Sequence, residues 1–125
     1  MSLNKILLIG NLGSDPEIRY TPAGKPVASF RIATNRRYKT EGEVREETEW
    51  FSVVAFGRLA EISSEFLKKG RAVFIEGRIR TQKWADAQGG KHYRTDVIAQ
   101  ALTMIGRKNG EQPQAESAST DEEPF

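Results

Sequence analysis

The chain contains no cysteine and a single histidine, His92. The first absence excludes disulfide frameworks, thiol nucleophiles and thiolate metal sites, and the second leaves too few histidines for a zinc centre. Long hydrophobic runs are missing as well. "ILLIG" near the start is hemmed in by glycine and asparagine, and no later run approaches the roughly eighteen apolar residues of a membrane span. Catalytic constellations are equally scarce. One histidine builds no compelling Ser/His/Asp set, no phosphate-binding glycine loop precedes a helix, and the acids are scattered or gathered in one charged loop. The expectation is a soluble, cytoplasmic, unprocessed protein with no metal or cofactor, and a binding protein rather than an enzyme. His92, in "GGKHYR", reads as a solvated turn histidine.

What is present is an uneven distribution of charge. Residues 1 to 106 carry 17 Lys and Arg against 12 Asp and Glu, whereas residues 107 to 125 carry two basic and five acidic residues. A basic body and an acidic tail have different partners. Composition changes at the same place. "RKNGEQPQAESASTDEEPF" has no aliphatic residue larger than alanine, so it cannot bury enough apolar surface to offset its ordering entropy. One folded domain over 1–106, a disordered linker over 107–120 and an acidic tip over 121–125 are expected.

Within the first 106 residues, β-branched and aromatic runs alternate with turn signals. "NKILLIGNLG", "PVASFRIAT", "TEWFSVVAFG", "RAVFIEGRIRTQKW" and "HYRTDVIAQALTMIG" are the five main strand regions, with "EIRYT" either separate or continuing the first. "RLAEISSEFLKKG" breaks the pattern. Leu59, Ile62, Phe66 and Leu67 fall on one helical stripe, Lys68 and Lys69 suit the negative end, and Gly70 supplies a left-handed stop, predicting a helix of about three turns. Three strands, a helix and two strands is the order of an all-β, five-stranded Greek-key barrel of the OB-fold type, with its helix between the third and fourth strands. Other small barrels share that order.

Strand alternation sorts the aromatic residues. In "EWFSVVAFG", Phe51, Val53 and Ala55 form a uniformly apolar row, which puts Trp50, Ser52, Val54 and Phe56 on the opposite face. In "RAVFIEGRIRTQKW", Val73, Ile75, Gly77 and Ile79 form the apolar set, and Trp84 shares the other face with Arg78 and Arg80. Large aromatics on a basic face suit single-stranded nucleic acid, which needs cations for its phosphates and flat rings for its unpaired bases. Interior packing of both tryptophans is the alternative, and alternation alone leaves the two open. The segment "NRRYKTEGEVREE" reads as a charged loop, with Arg36, Arg37, Tyr38 and Lys39 forming a flexible arm that closes over a strand.

The segments "NKILLIGNLGSDPEIRYTPAGKPVASFRIAT", "EETEWFSVVAFGRLAEISSEFLKKG" and "VFIEGRIRTQKW" closely resemble the bacterial single-stranded DNA-binding protein family. The resemblance covers roughly residues 1 to 106 and resumes at the terminal "DEEPF". It implies an OB-fold, a homotetramer, and sequence-tolerant binding of single-stranded DNA in replication, repair and recombination, in the cytoplasm at the nucleoid. It places base stacking on Trp50, Phe56 and Trp84, with Tyr38 aligned to a further stacking position in a loop that is shorter here. Backbone contacts fall on Lys5, Arg19, Arg58, Lys69, Arg80 and Lys83, and Phe51 aligns near the subunit interface. Asp121, Glu122, Glu123, Pro124 and Phe125 become a docking peptide for replication and repair enzymes. An RNA-binding or primosome-type relative and a small nuclease are the rival readings.

Overall fold

Alternating apolar residues build most of the molecule into extended chain. The structure, a computed structural model, describes residues 1–106. The linker and the acidic tip expected over 107–125 lie outside the described residues. The elements are β1 (Ile6–Leu12), β2 (Glu17–Tyr20), β3 (Pro26–Thr40), β4 (Glu43–Phe56), α1 (Arg58–Phe66), β5 (Ala72–Ala85) and β6 (Lys91–Met104). The "EIRY" segment is thus a strand of its own, pairing antiparallel with β3 from Glu17↔Ser29 to Tyr20↔Pro26. Apart from this short addition the sheet has five main strands in the order β1-β5-β6-β4-β3, and β1 returns to β3 to close a barrel. The helix follows β4, the third of those main strands, as the OB-fold order requires.

Two long antiparallel hairpins, β3–β4 and β5–β6, form the walls. They meet in parallel at Val53↔Val97 and Val54↔Ile98, and β1 meets β3 at Asn11↔Ala33 and Leu12↔Ile32. The inward rows Ala28/Phe30/Ile32, Val53/Ala55 and Val73/Ile75 interlock with Leu8, Leu12, Leu102 and Met104 in one buried cluster. Each of the larger aliphatic side chains contributes about 1.5–3 kcal/mol by leaving water. Phe51 is partly buried and packs against this cluster. Ile79, expected in the same row, is instead 40% exposed: the pairing of β1 along β5 stops at Ile6↔Gly77, although Val97 opposite Ile79 on β6 is still buried.

The helix is shorter than its periodicity predicts. It ends at Phe66, and Leu67 already has extended backbone. Leu67 is 2% exposed, and turning the chain there drives its side chain into the core while Phe66, assigned to the same stripe, is left 40% exposed. Lys68 and Lys69 therefore lie beyond the helix, in a turn closed by the Arg71 N–H donating to the Lys68 carbonyl at 3.0 Å. Gly70, with φ 90°, occupies the third position of that turn, where a positive φ is required. It is a turn glycine rather than a helix cap.

The segment expected as a flexible charged loop is a continuation of the β3–β4 hairpin. Pairing runs unbroken to Thr40↔Glu43, and Glu41 and Gly42, at φ 54° and 79°, make the two-residue turn in which both central positions are left-handed. The charges that suggested a solvated loop face each other across the ladder. Arg36 pairs with Glu47 at 3.1 Å and Arg37 approaches Glu46 at 3.9 Å, while Thr48 Oγ1 donates to Asn35 Oδ1 at 2.7 Å. Exposed pairs of this kind add little individually, so backbone pairing is what holds the arm.

On β6 the side-chain alternation reverses partway. Glu76 is opposite Ala101 but Gly77 is opposite Ala99, leaving Gln100 as the extra residue of a β-bulge. Val97 and Ala99 face the core before the bulge and Leu102 and Met104 after it. Gly77 is obligatory at this crossing. An ideal Cβ there falls under 3.0 Å from the Ile98 carbonyl, a backbone group that cannot swing aside.

Candidate nucleic-acid interface

The outer face of the barrel wall is assembled by register. On β3 and β4 the opposed pairs are Val27↔Phe56, Ser29↔Val54, Arg31↔Ser52 and Ala33↔Trp50. On β5 and β6 they are Arg78↔Ile98, Arg80↔Asp96, Gln82↔Arg94 and Trp84↔His92. Where the two hairpins meet, Val27, Val54 and Ile98 form a small buried apolar patch separate from the main core. That patch gives the face a dry floor with polar and aromatic groups standing around it.

Three aromatic residues project from this surface. Trp50, Phe56 and Trp84 are 47%, 45% and 49% exposed, which rules out the interior-packing alternative for both tryptophans. Half of each ring is held by the protein and half is free. Trp50 rests on Gly13, where an ideal Cβ would come within 3.0 Å of the indole, and the Arg31 guanidinium lies 4.9 Å from its ring centroid. Trp84 stacks on His92 with centroids 5.5 Å apart and an interplanar angle of 21°.

Beside Phe56 lies a groove of about 530 Å³ lined also by Arg19, Arg80 and Arg94, with Asp96 and Gln82, whereas Trp50 borders neither this groove nor the two smaller hollows. Arg94 also borders a neighbouring hollow of about 250 Å³ that contains Arg31 and Ser52, so one guanidinium serves both. A third hollow, of about 370 Å³, lies at the Trp84 end, with Lys83, Lys91 and Tyr93. Asp96 is 1% exposed. Its carboxylate accepts from Arg94 Nε at 2.9 Å and from Gln82 Nε2 at 3.4 Å, with Arg80 at 3.9 Å. A buried carboxylate persists only when its desolvation is offset by such partners. Here it anchors two arginines that reach into the groove.

The structure brings some of the expected contact residues together and not others. Arg19, Phe56 and Arg80 share the main groove, and Lys83 borders the Trp84 hollow, with its ammonium 5.9 Å from the Tyr93 ring centroid. Lys5, Arg58 and Lys69 border none of these three hollows. Lys5 is ion-paired with Glu76, Arg58 opens α1, and the Lys69 N–H donates to Asp15 Oδ1 at 2.8 Å. On the arm, Tyr38 and Arg36 are adjacent, 4.8 Å from guanidinium carbon to ring centroid. By alternation they leave the hairpin on the side opposite the Trp50 row, which Arg37 shares. Arg36 and Arg37 already face acids across the strand. The arm is therefore a paired ribbon whose aromatic faces away from the Trp50 row.

Arg31, Arg94, Gln82, Asp96 and His92 belong to the site and went unassigned in the sequence. Arg31 was within reach, since it alternates with the core residues Phe30 and Ile32. Arg94 and Asp96 were not, because the bulge at Gln100 scrambles the alternation of β6. His92 is not a loose turn residue. It lies in β6, and its Nε2 donates to Asp86 Oδ2 at 2.8 Å. This bond, followed by the Gly90 N–H, holds the Asp86 carboxyl below the usual carboxylate range. A carboxyl whose pKa falls on folding adds stability above its unfolded value of 3.8, and that stability is lost as the pH drops through the lower folded value. Among the described residues no group of three or more His, Cys, Asp or Glu is placed to hold a metal ion, and no helix is long and apolar enough to cross a membrane.

Comparison with known proteins bears on the whole barrel. Among solved structures, one described as Plasmodium falciparum SSB in complex with ssDNA superposes with a TM-score of 0.77 at 31% sequence identity, covering 85% of this chain and 97% of that one. Residues 3–105 match the model of the single-strand binding protein family. With nearly every described residue inside that match, and a barrel that sets half-exposed aromatics beside an arginine-lined groove, the chain belongs to the single-strand binding protein family.

Proposed function

We propose that this chain coats single-stranded DNA with little sequence preference, protecting strands exposed in replication, repair and recombination. The observation that carries the reading is the set of half-exposed rings on the outer face of the wall, Trp50, Phe56 and Trp84, with a groove at Phe56 bearing Arg19, Arg80 and Arg94. Every base has a flat face, so stacking on such rings tolerates any sequence, and the guanidinium groups meet the phosphates. Membership of a non-catalytic DNA-binding family supports the same reading. Titration with oligo-dT quenches tryptophan fluorescence to saturation, and the affinity falls with salt at a slope of about −0.7 per phosphate neutralised. Absence of quenching at saturating DNA removes the stacking mechanism, and tighter binding to ribo-oligomers shifts the assignment to RNA.

The chain acts as a homotetramer in this reading. Support comes from β1, where Leu7 and Ile9 are 58% and 62% exposed on a strand whose first half has β5 alone as a neighbour. Exposed apolar residues along an open strand edge favour self-association. Light scattering on the intact protein then reports four chains, and Ile9→Glu reduces that number; a monomeric parent protein defeats the proposal.

The terminal Asp121, Glu122, Glu123, Pro124 and Phe125 serve as the docking peptide for partner enzymes. The Phe125 ring suits an apolar pocket with a basic rim, and the flanking acids steer it there. The working place is the cytoplasm, at the nucleoid. The same acids compete for the basic groove of their own chain, so oligo-dT titration of protein lacking residues 121–125 shows tighter binding at low salt. Unchanged affinity counts against that competition.

A further inference from the structure

The one histidine of the chain sits beside one of the proposed stacking rings, held there by a series of contacts that begins in the β5–β6 turn. The turn is closed by the Asp86 N–H donating to the Gly90 carbonyl at 2.9 Å and the Gly89 N–H donating to the Asp86 carbonyl at 3.0 Å. Asp86 Oδ1 accepts from the Gln88 and Gly90 N–H groups at 3.0 and 2.7 Å, which fixes the carboxylate against the backbone. Its other oxygen, Oδ2, accepts the His92 Nε2 proton at 2.8 Å. His92 in turn lies directly across the ladder from Trp84, its ring near-parallel to the indole. Gly90 leaves room for this arrangement, since an ideal Cβ there would fall within 3.0 Å of the Asp86 carboxylate.

We propose that His92 is a positioning residue for Trp84, forming with it a two-ring platform on whose free face a nucleobase stacks as the third layer. The inference rests on the reading that Trp84 stacks bases. An exposed indole on a sheet has several rotamers, and fixing one of them on binding lowers affinity. Here the backing ring and its carboxylate anchor remove that freedom beforehand. Because His92 covers one face of Trp84, the platform is one-sided, and the base arrives on the face away from His92.

The test uses the full chain with oligo-dT, with the Trp50→Phe background isolating Trp84 fluorescence. His92→Ala weakens binding about three- to tenfold, the range expected from losing an aromatic partner and a preset rotamer. Without DNA, Trp84 emission shifts to the red and acrylamide quenches it more readily. His92→Phe keeps a flat ring but loses the Asp86 bond, and it restores most of the affinity; a purely structural role for the Asp86–His92 bond would not be rescued this way. Wild-type affinity in His92→Ala, with Trp84→Ala still impaired, overturns the positioning role and leaves base stacking intact. Equal losses in His92→Phe and His92→Ala overturn it as well. Unimpaired binding by Trp84→Ala defeats the stacking reading itself, and the inference falls with it.

Discussion

Replacing Trp84 or Trp50 by alanine leaves the barrel folded and lowers affinity for oligo-dT about five- to a hundredfold, the equivalent of ~1–3 kcal/mol per stacked base. Both parts of that outcome come from the same number. About half of each indole is free to solvent, so truncation removes limited packing from the protein while erasing the whole flat surface presented to a base. The contrast is with Val53 on the same strand, fully buried in the central cluster, where truncation to alanine is felt as stability. Fluorescence anisotropy with labelled oligo-dT measures the first effect and thermal denaturation the second. A fall in the melting midpoint that parallels the loss of binding would assign the tryptophans to the fold.

Gly77→Ala has the opposite signature, disrupting the fold before any question of binding arises. At this position a Cβ meets the Ile98 carbonyl oxygen and carbon and the Ala99 Cα, all backbone, at the bulge where β6 crosses β5. Relief requires the strands to separate, which loosens Val97, Ala99 and the hydrogen bonds on either side. Overpacking of this kind costs about 3 kcal/mol or more when nothing can move aside, and in a domain of this size that corresponds to a drop of roughly 10–20 °C in melting midpoint. Thermal denaturation followed by circular dichroism reads it directly. A midpoint within about 2 °C of the parent would mean that the bulge relaxes more easily than its backbone contacts imply. Gly13→Ala offers a useful comparison, because there the obstructing group is the movable indole of Trp50 rather than backbone.

Much of the fold was legible where one residue in two is apolar. The rows through Phe30 and Ile32, through Val53 and Ala55, and through Val73 and Ile75 mark the inward face and put Trp50, Phe56 and Trp84 on the other, but alternation leaves open whether the tryptophans are packed or free, and their roughly half exposure is seen only in the structure. Alternation failed on β6 for a physical reason. The additional residue, Gln100, moves every later side chain to the other face, and nothing in "VIAQALTM" marks where that happens. The arm was misread because its charges were counted without their partners. Arg36 and Arg37 look solvated in sequence but face Glu47 and Glu46 in space, and the Glu41-Gly42 turn was the overlooked signal of a tight hairpin. The helix was overextended because Leu67 fits its stripe yet reaches the core from extended backbone. His92 was invisible as a site residue, since its stack on Trp84 depends on the strand register.

The way the wall closes gives the groove a second meaning. The β3–β4 and β5–β6 hairpins are each zipped along most of their length, yet they touch one another at Val53↔Val97 and Val54↔Ile98. The barrel is therefore two stiff shells joined by this narrow seam on one side and by β1, which pairs with both β5 and β3, on the other. The candidate groove runs over the seam, with Phe56 on one shell and Arg80 and Trp84 on the other. A polynucleotide held by rings on both sides becomes a suture. It ties the two hairpins together across that seam, so that occupancy and closure of the barrel reinforce one another.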